Sequence, residues 1–179
     1  MANPIQLEPV TDEYLSSLIE KRINYYAASE GATAPVNPKQ FQQLYAIAGK
    51  NLRDTFKHAQ DIALWLFELS EDGKPTPINP VESWIEEQAD YGNIATQMTA
   101  AAQEVFDELV KNGGAIPAAQ LADDPSTYAQ KVRYRVRILE KLNLAETVGT
   151  EDDLRFKVVR LTALGWFTHH VRSSSQGSH

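Results

Sequence analysis

Residues 126–144 read STYAQKVRYRVRILEKLNL, and this stretch decides how the rest of the chain is interpreted. Apolar side chains recur in it every three or four residues, which is typical of the buried face of a helix. They are Val132, Val136, Leu139 and Leu142. A helix that buries one face and presents basic side chains on the other suits the major groove of DNA. The alternative is a solvated helix whose arginines pair with carboxylates elsewhere.

The residues on both sides of this helix predict a hairpin and further helices. Residues 145–161 hold two strand-like runs, AETV and LRFKVVRL, with a polar turn between them. A helix at about residues 99–111 and a short helix at about residues 117–123 precede the basic helix. A final helix opens at Thr162. The second half is therefore expected to combine helices with one β-hairpin.

This order of elements resembles the winged helix-turn-helix family over about residues 96–172, and the phrases VRYRVRILEKLNLAETV and RLTALGWF resemble it in detail. The resemblance implies that the basic helix enters the major groove of double-stranded DNA, while the hairpin lies along the backbone. The acidic tip of the hairpin, residues 151–153, is expected to stay off the phosphates. The side chains expected to contact DNA are Gln130, Lys131, Arg133, Tyr134, Arg137, Arg155 and Lys157.

The composition is that of a globular protein without cysteine. Hydrophobic residues make up 42% of the 179 residues and charged residues 23%, which is compatible with a substantial core. The absence of cysteine excludes disulfides and cysteine-bound zinc, and it fits a reducing compartment, so we expect a cytoplasmic protein. No apolar run approaches the length of a membrane span and no signal-peptide pattern is present, so no membrane partner is expected.

The net charge of −7 is unevenly distributed along the chain. Residues 1–95 hold 7 Lys and Arg against 14 Asp and Glu, whereas residues 96–179 hold 10 of each class. The second half is thus neutral overall, but its positive charge is concentrated on one helix and one strand. Such asymmetry favours two modules with different partners.

The first half predicts three amphipathic helices, at about residues 11–29, 37–49 and 51–69. Asn37 followed by Pro38 is a strong helix start, and the prolines after residue 74 interrupt helix. We therefore expect a mostly helical fold. Its predicted parts are a helical domain at 1–70, a linker containing a short helix at 71–95, a winged-helix domain at 96–172 and a flexible tail at 173–179.

The segments LEPVTDEYLSSLIEKRINYY and NPKQFQQLYAIAGKNLRDTFKHAQDIALWL resemble the helical lid subdomain of AAA+ ATPases. The sequence GKNLRD at residues 49–54 matches the place where that family carries its sensor-2 arginine. The resemblance implies that Arg53 senses nucleotide by contacting the γ-phosphate. An arginine in the first turn of a helix adds donors to an end that already favours anions. The alternative is a surface arginine paired with Asp54 or another acid.

The sequence departs from that family in lacking its nucleotide-binding core. It contains no G-x-x-x-x-G-K-[ST] motif and no apolar strand that ends in paired acids. We therefore expect no catalysis and no cofactor in this chain, with ATP and Mg²⁺ bound by a presumed full-length protein. The chain resembles the C-terminal part of a longer AAA+ ATPase, and the missing nucleotide-binding core would then be its partner. The alternative is a relative of these ATPases that has lost the nucleotide-binding core.

Other chemistry has little support in the sequence. His58 is expected to be solvated, and His169 and His170 point about 100° apart on a helix, so they cannot easily share a metal ion. Two rival functions remain. One is a winged-helix module that binds an acidic protein partner, and the other is a transcriptional regulator with a helical dimerisation domain.

Overall fold

The computed structural model of the protein describes residues 11–26, 34–121, 132–149 and 157–176. The described chain is mostly helical and contains a small antiparallel sheet of three strands. It divides into two compact units, Met1–Trp84 and Ile85–His179. Because each unit has its own buried side chains, each is described by itself.

The first unit is built from helices α1 (Asp12–Tyr26), α2 (Pro38–Ile47), α3 (Leu52–Glu71) and the first half of α4 (Pro80–Ala89). Helix α2 packs against both α1 and α3. Its apolar face meets theirs in a common core, in which the Phe41 and Phe56 rings lie 4.8 Å apart. The buried side chains of this unit include Leu15, Ile19, Val36, Phe41, Leu44, Tyr45, Ala48, Thr55, Ile62, Val81 and Trp84.

Asparagine caps fix where two of these helices begin. The Asn37 side chain accepts a hydrogen bond from Gln40 N, and the Gln40 side chain accepts one from Asn37 N, both at 2.9 Å. This reciprocal pair satisfies two backbone donors that the first turn leaves free. Asn51 caps α3 by accepting from the backbone N–H groups of Arg53 and Asp54. The predicted starts of α2 and α3 are therefore confirmed.

The segment expected to be a linker contains more helix than predicted. Helix α4 corresponds to the predicted short helix, but a further helix, α5 (Tyr91–Gln97), follows it directly. Asp90 separates the two with a left-handed φ of 30°. Residues 91–93 form the first turn of α5, and Ile94 is buried in the core of the second unit, so the predicted linker contains a second helix.

The second unit continues with α6 (Ala100–Lys111), β1 (Ala115–Pro117), a 3-10 turn (Ala118–Leu121) and α7 (Arg133–Lys141). It ends with β2 (Ala145–Val148), β3 (Val158–Leu161) and α8 (Ala163–Gln176). Strand β3 lies at the centre of the sheet, antiparallel to both β1 and β2. The antiparallel pair of β2 and β3 is as predicted, whereas β1 was not expected. The short helix expected at 117–123 is a 3-10 turn in the part of it that the structure describes.

The core of the second unit lies between α6, α7 and the sheet. Side chains from each of these elements are buried there, including Phe106, Leu139 and Val159. The apolar stripe predicted for the basic helix faces this core, with Val132, Val136 and Leu139 buried and Leu142 half-buried against them. At the C-terminal end, residues 173–176 belong to α8 rather than to the flexible tail that was predicted to begin at residue 173.

Candidate functional site

The outward face of α7 is basic over two turns. Arg133, Tyr134, Arg137 and Lys141 are exposed on it, and the Tyr134 side chain is 66% accessible. Arg137 lies one helical turn after Arg133 and Tyr134 and one turn before Lys141, so its side chain is a neighbour of all three. The buried stripe on the other side of α7 fixes which way this face points. The structure thus brings three of the predicted DNA contacts, Arg133, Tyr134 and Arg137, together.

Three other arginines of the second unit are bound to carboxylates. Arg135 Nη1 lies 3.4 Å from Glu104 Oε2 on α6, and Arg160 Nε lies 2.7 Å from Glu146 Oε1 on the neighbouring strand. Arg172 of α8 donates to the Asp107 carboxylate, and its guanidinium lies over the Phe106 ring, 5.5 Å from the centroid. These contacts tie α7, β3 and α8 to their neighbours and neutralise the positive charge of each arginine.

Arg133 and Arg137 differ from these three. Within the residues that the structure describes, neither guanidinium makes an ion pair. The one acid on the described part of α7, Glu140, accepts a hydrogen bond from the Thr147 hydroxyl at 2.7 Å, which joins α7 to β2. Within the described part of the chain, no acid therefore neutralises the two arginine charges on this face of α7.

Among the remaining predicted DNA contacts, one residue, Lys157, lies in the described part of the chain. Gln130, Lys131 and Arg155 lie outside the described residues, as does the acidic hairpin tip at 151–153. Lys157 precedes β3 and is half-buried, and its carbonyl accepts a hydrogen bond from Ala118 N at 2.8 Å. Its backbone thus links β3 to the 3-10 turn.

Arg53 is exposed in the first turn of α3, in the first unit. The alternative in which it pairs with Asp54 is not observed, and the Asp54 carboxylate accepts a hydrogen bond from Asn51 Nδ2 at 2.7 Å. Among the described residues, the Arg53 guanidinium makes no ion pair. A guanidinium group, with its positive charge and several N–H donors, at the N-terminus of a helix is a suitable environment for an anion.

His58 and His169 are both partly buried. The His58 ring lies 5.5 Å from the Trp84 ring, and its Nδ1 lies 3.3 Å from Asp61 Oδ2. Burial lowers the pKa of His58, and burial together with the nearby Arg172 charge lowers the pKa of His169. The expectation that His58 is solvated is wrong. Its position on α3, three residues before Asp61, suggested neither the partial burial nor the contact with Trp84.

No family model, no curated protein and no solved structure matches the chain. In the part of the chain that the structure describes, no helix is both long enough and apolar enough to cross a bilayer. The described His, Asp and Glu side chains form no group of three that could hold a metal ion.

Proposed function

We propose that this chain is the lid and winged-helix region of an AAA+ type ATPase, and that its second unit binds double-stranded DNA through the outward face of α7. The order of elements in the second unit supports the winged-helix interpretation. Helix α6, the 3-10 turn, α7 and the antiparallel strands β2 and β3 follow one another in the order that the resemblance implies, and β1 is an additional strand. The pairing of β1 with β3 closes the sheet against α6 and α7.

The observation that carries the DNA proposal is the contrast between two sets of arginines. Arg135 and Arg160 are held by carboxylates, whereas Arg133 and Arg137 are exposed and without an ion pair among the described residues. Guanidinium groups one helical turn apart can bind successive phosphates or read the edge of a guanine. Tyr134 adds a hydroxyl and a ring to the same face.

The test is a titration of duplex DNA with the whole chain at low and at moderate salt. We expect binding that weakens steeply with salt, because neutralised phosphates release counterions. Arg133→Ala/Arg137→Ala should weaken binding by about tenfold or more and reduce the slope of log affinity against log salt by about 2.

The matched control is Arg135→Ala/Arg160→Ala, which removes the same number of charges from the same unit. If net charge alone governs binding, both double variants should lose affinity to a similar extent. If the face of α7 is the interface, the loss should be concentrated in Arg133→Ala/Arg137→Ala, with an unchanged melting temperature. Absence of wild-type binding at low salt would favour a protein-interaction module, in which the same arginines contact an acidic partner.

The nucleotide part of the proposal concerns Arg53. Its exposed guanidinium beside the Asn51 cap supports a sensor role in a protein that also contains the nucleotide-binding core. In such a full-length enzyme, Arg53→Ala should impair ATP hydrolysis while leaving the fold intact, and Lys57→Ala, one turn further along α3, is the control. Unchanged kinetics for Arg53→Ala would remove this residue from the site. The isolated chain is expected not to hydrolyse ATP, since it lacks a phosphate-binding loop.

A further inference from the structure

The outward face of α3 carries an adjacent pair of exposed apolar side chains. Leu64 is 56% exposed and Phe67 is 62% exposed. They are three residues apart on the helix and are therefore neighbours on one side of it. Thr55 and Ile62, on the other side, are fully buried in the core of the first unit. The two side chains thus form one small contiguous apolar patch, whereas isolated exposed apolar residues would need no explanation.

Carboxylates continue the same face toward the end of α3. Glu68 and Glu71 lie one turn beyond Leu64 and Phe67, respectively, and both are exposed. Among the described residues, neither makes an ion pair, and residues 60–72 contain no lysine or arginine. We call Leu64, Phe67, Glu68 and Glu71 the α3 patch. Its chemistry is an apolar centre with an uncompensated negative edge.

The negative edge restricts what can cover the α3 patch. Nucleic acid and anionic lipid surfaces would be repelled by Glu68 and Glu71. A second copy of the chain, docked symmetrically by the same face, would bring four carboxylates together, and like charges across an interface oppose association. A segment that carries both apolar and basic side chains satisfies both parts of the patch.

We propose that the α3 patch is the docking surface for a basic amphipathic helix of a partner protein. In this arrangement, the partner helix packs its apolar side chains on Leu64 and Phe67, as ridges of one helix fit the grooves of another. Its lysine or arginine side chains meet Glu68 and Glu71. This binding surface lies on the first unit and does not involve α7, so it is independent of the DNA proposal.

The experiment uses the whole chain and a synthetic helical peptide of about 18 residues, long enough to form helix on a surface. Leucines occupy one face of the peptide and lysines the rest, and a second peptide has glutamate in place of every lysine. Trp65, next to Leu64 and half-buried, provides a fluorescence signal because neither peptide contains tryptophan. We expect the lysine peptide to bind and the glutamate peptide not to bind.

Two double variants and one control locate the binding surface. Leu64→Ser/Phe67→Ser should weaken binding of the lysine peptide by about tenfold or more, as expected for a central apolar contact. Glu68→Lys/Glu71→Lys should reverse the preference, so that the glutamate peptide binds more tightly. Ile78→Ser removes an apolar side chain that is fully exposed elsewhere in the first unit and should change neither affinity. All variants should keep the wild-type melting temperature, because they change only exposed positions.

Several results would overturn the proposal. These are no binding of the lysine peptide to the wild-type chain, equal binding of both peptides, and wild-type affinity in Leu64→Ser/Phe67→Ser. Sedimentation supplies a further criterion. A wild-type dimer that this variant abolishes would show that a second copy covers the patch instead.

Discussion

Gly165, in the first turn of α8, has no room for a side chain. A Cβ atom built there would lie 2.2 Å from the carbonyl oxygen of Leu144, the residue before β2. Because that oxygen belongs to the backbone, α8 or β2 must move to make room for a side chain at position 165. Gly165→Ala should therefore lower the free energy of unfolding by about 1–3 kcal/mol, the usual cost of overpacking. Denaturant unfolding would measure the loss.

Gly92 provides the control for this prediction. It also lies in a helix, α5, but a Cβ atom built there meets no atom within 4 Å. Gly92→Ala should not lower the free energy of unfolding, and it can raise it by up to about 1 kcal/mol, because alanine loses less backbone entropy in a helix. Equal losses in the two variants would contradict the close approach of α8 to β2.

His58 makes stability depend on pH. Burial lowers the pKa of its imidazole below the usual 6.5, against the opposing effect of Asp61. As the pH falls below about 6.5, the unfolded chain binds a proton more readily than the folded chain. The stability that neutral His58 contributes to the folded chain is therefore fully present above about pH 6.5 and is lost as the pH falls toward the lowered pKa.

A His58→Gln variant tests this prediction. It should lose less stability than the wild-type chain between about pH 7.5 and about pH 5.5, the range in which histidine titrates. Denaturant midpoints at the two pH values give the comparison, and His169, whose pKa is also lowered, accounts for part of the dependence that remains. A variant with the full wild-type dependence would show that His58 does not cause it.

The sequence identifies the basic helix but not which arginines are available on it. Arg135 is engaged because Glu104 lies beside it, although the two are 31 residues apart in the chain. Arg172 is engaged by Asp107 across 65 residues. Helical periodicity predicts correctly which residues face the core, since it depends on local spacing. Ion pairs between elements depend on the packing of those elements, which no local pattern reports.

At the scale of elements, Thr162 joins the end of β3 to the start of α8. Its hydroxyl accepts a hydrogen bond from Gly165 N at 3.1 Å and donates one to the Asn143 carbonyl. Thr162→Ala removes both bonds and should lower the free energy of unfolding by about 1 kcal/mol, as for other N-cap deletions. Thr162→Ser keeps the hydroxyl and should retain most of the stability. Urea midpoints that fall equally in the two variants would exclude this capping role.

The elements that the sequence predicts best have strong local signals. Asn37, Asn51 and Thr99 each cap a helix whose apolar periodicity is clear. Strand β1 has only three residues, one of them Pro117, and it is a strand only because β3 lies beside it. Helix α5 begins with residues that are typical of turns. Tertiary contacts override local preference in both cases.

At the scale of the whole molecule, the acidic first half should oppose DNA binding from a distance. Charges interact over about 30 Å at 0.01 M salt but only about 8 Å at 0.15 M. Glu86→Gln/Glu87→Gln removes two of these acids, which are exposed on the part of α4 that belongs to the second unit, and should strengthen DNA binding at the low salt concentration but hardly at the high one. Titrations at both concentrations provide the measurement. A gain of the same size at both would indicate a direct contact rather than a long-range field.

On the ribosome, β3 is the last strand of the sheet to be made, although it lies at the centre. Strands β1 and β2 both pair with β3 and not with each other. Until Val158–Leu161 has emerged, the backbone groups of β1 and β2 have no strand to bond with. Translation that pauses before β3 would therefore leave two unpaired edges on the nascent chain. Such edges are where chaperones bind and where aggregation begins.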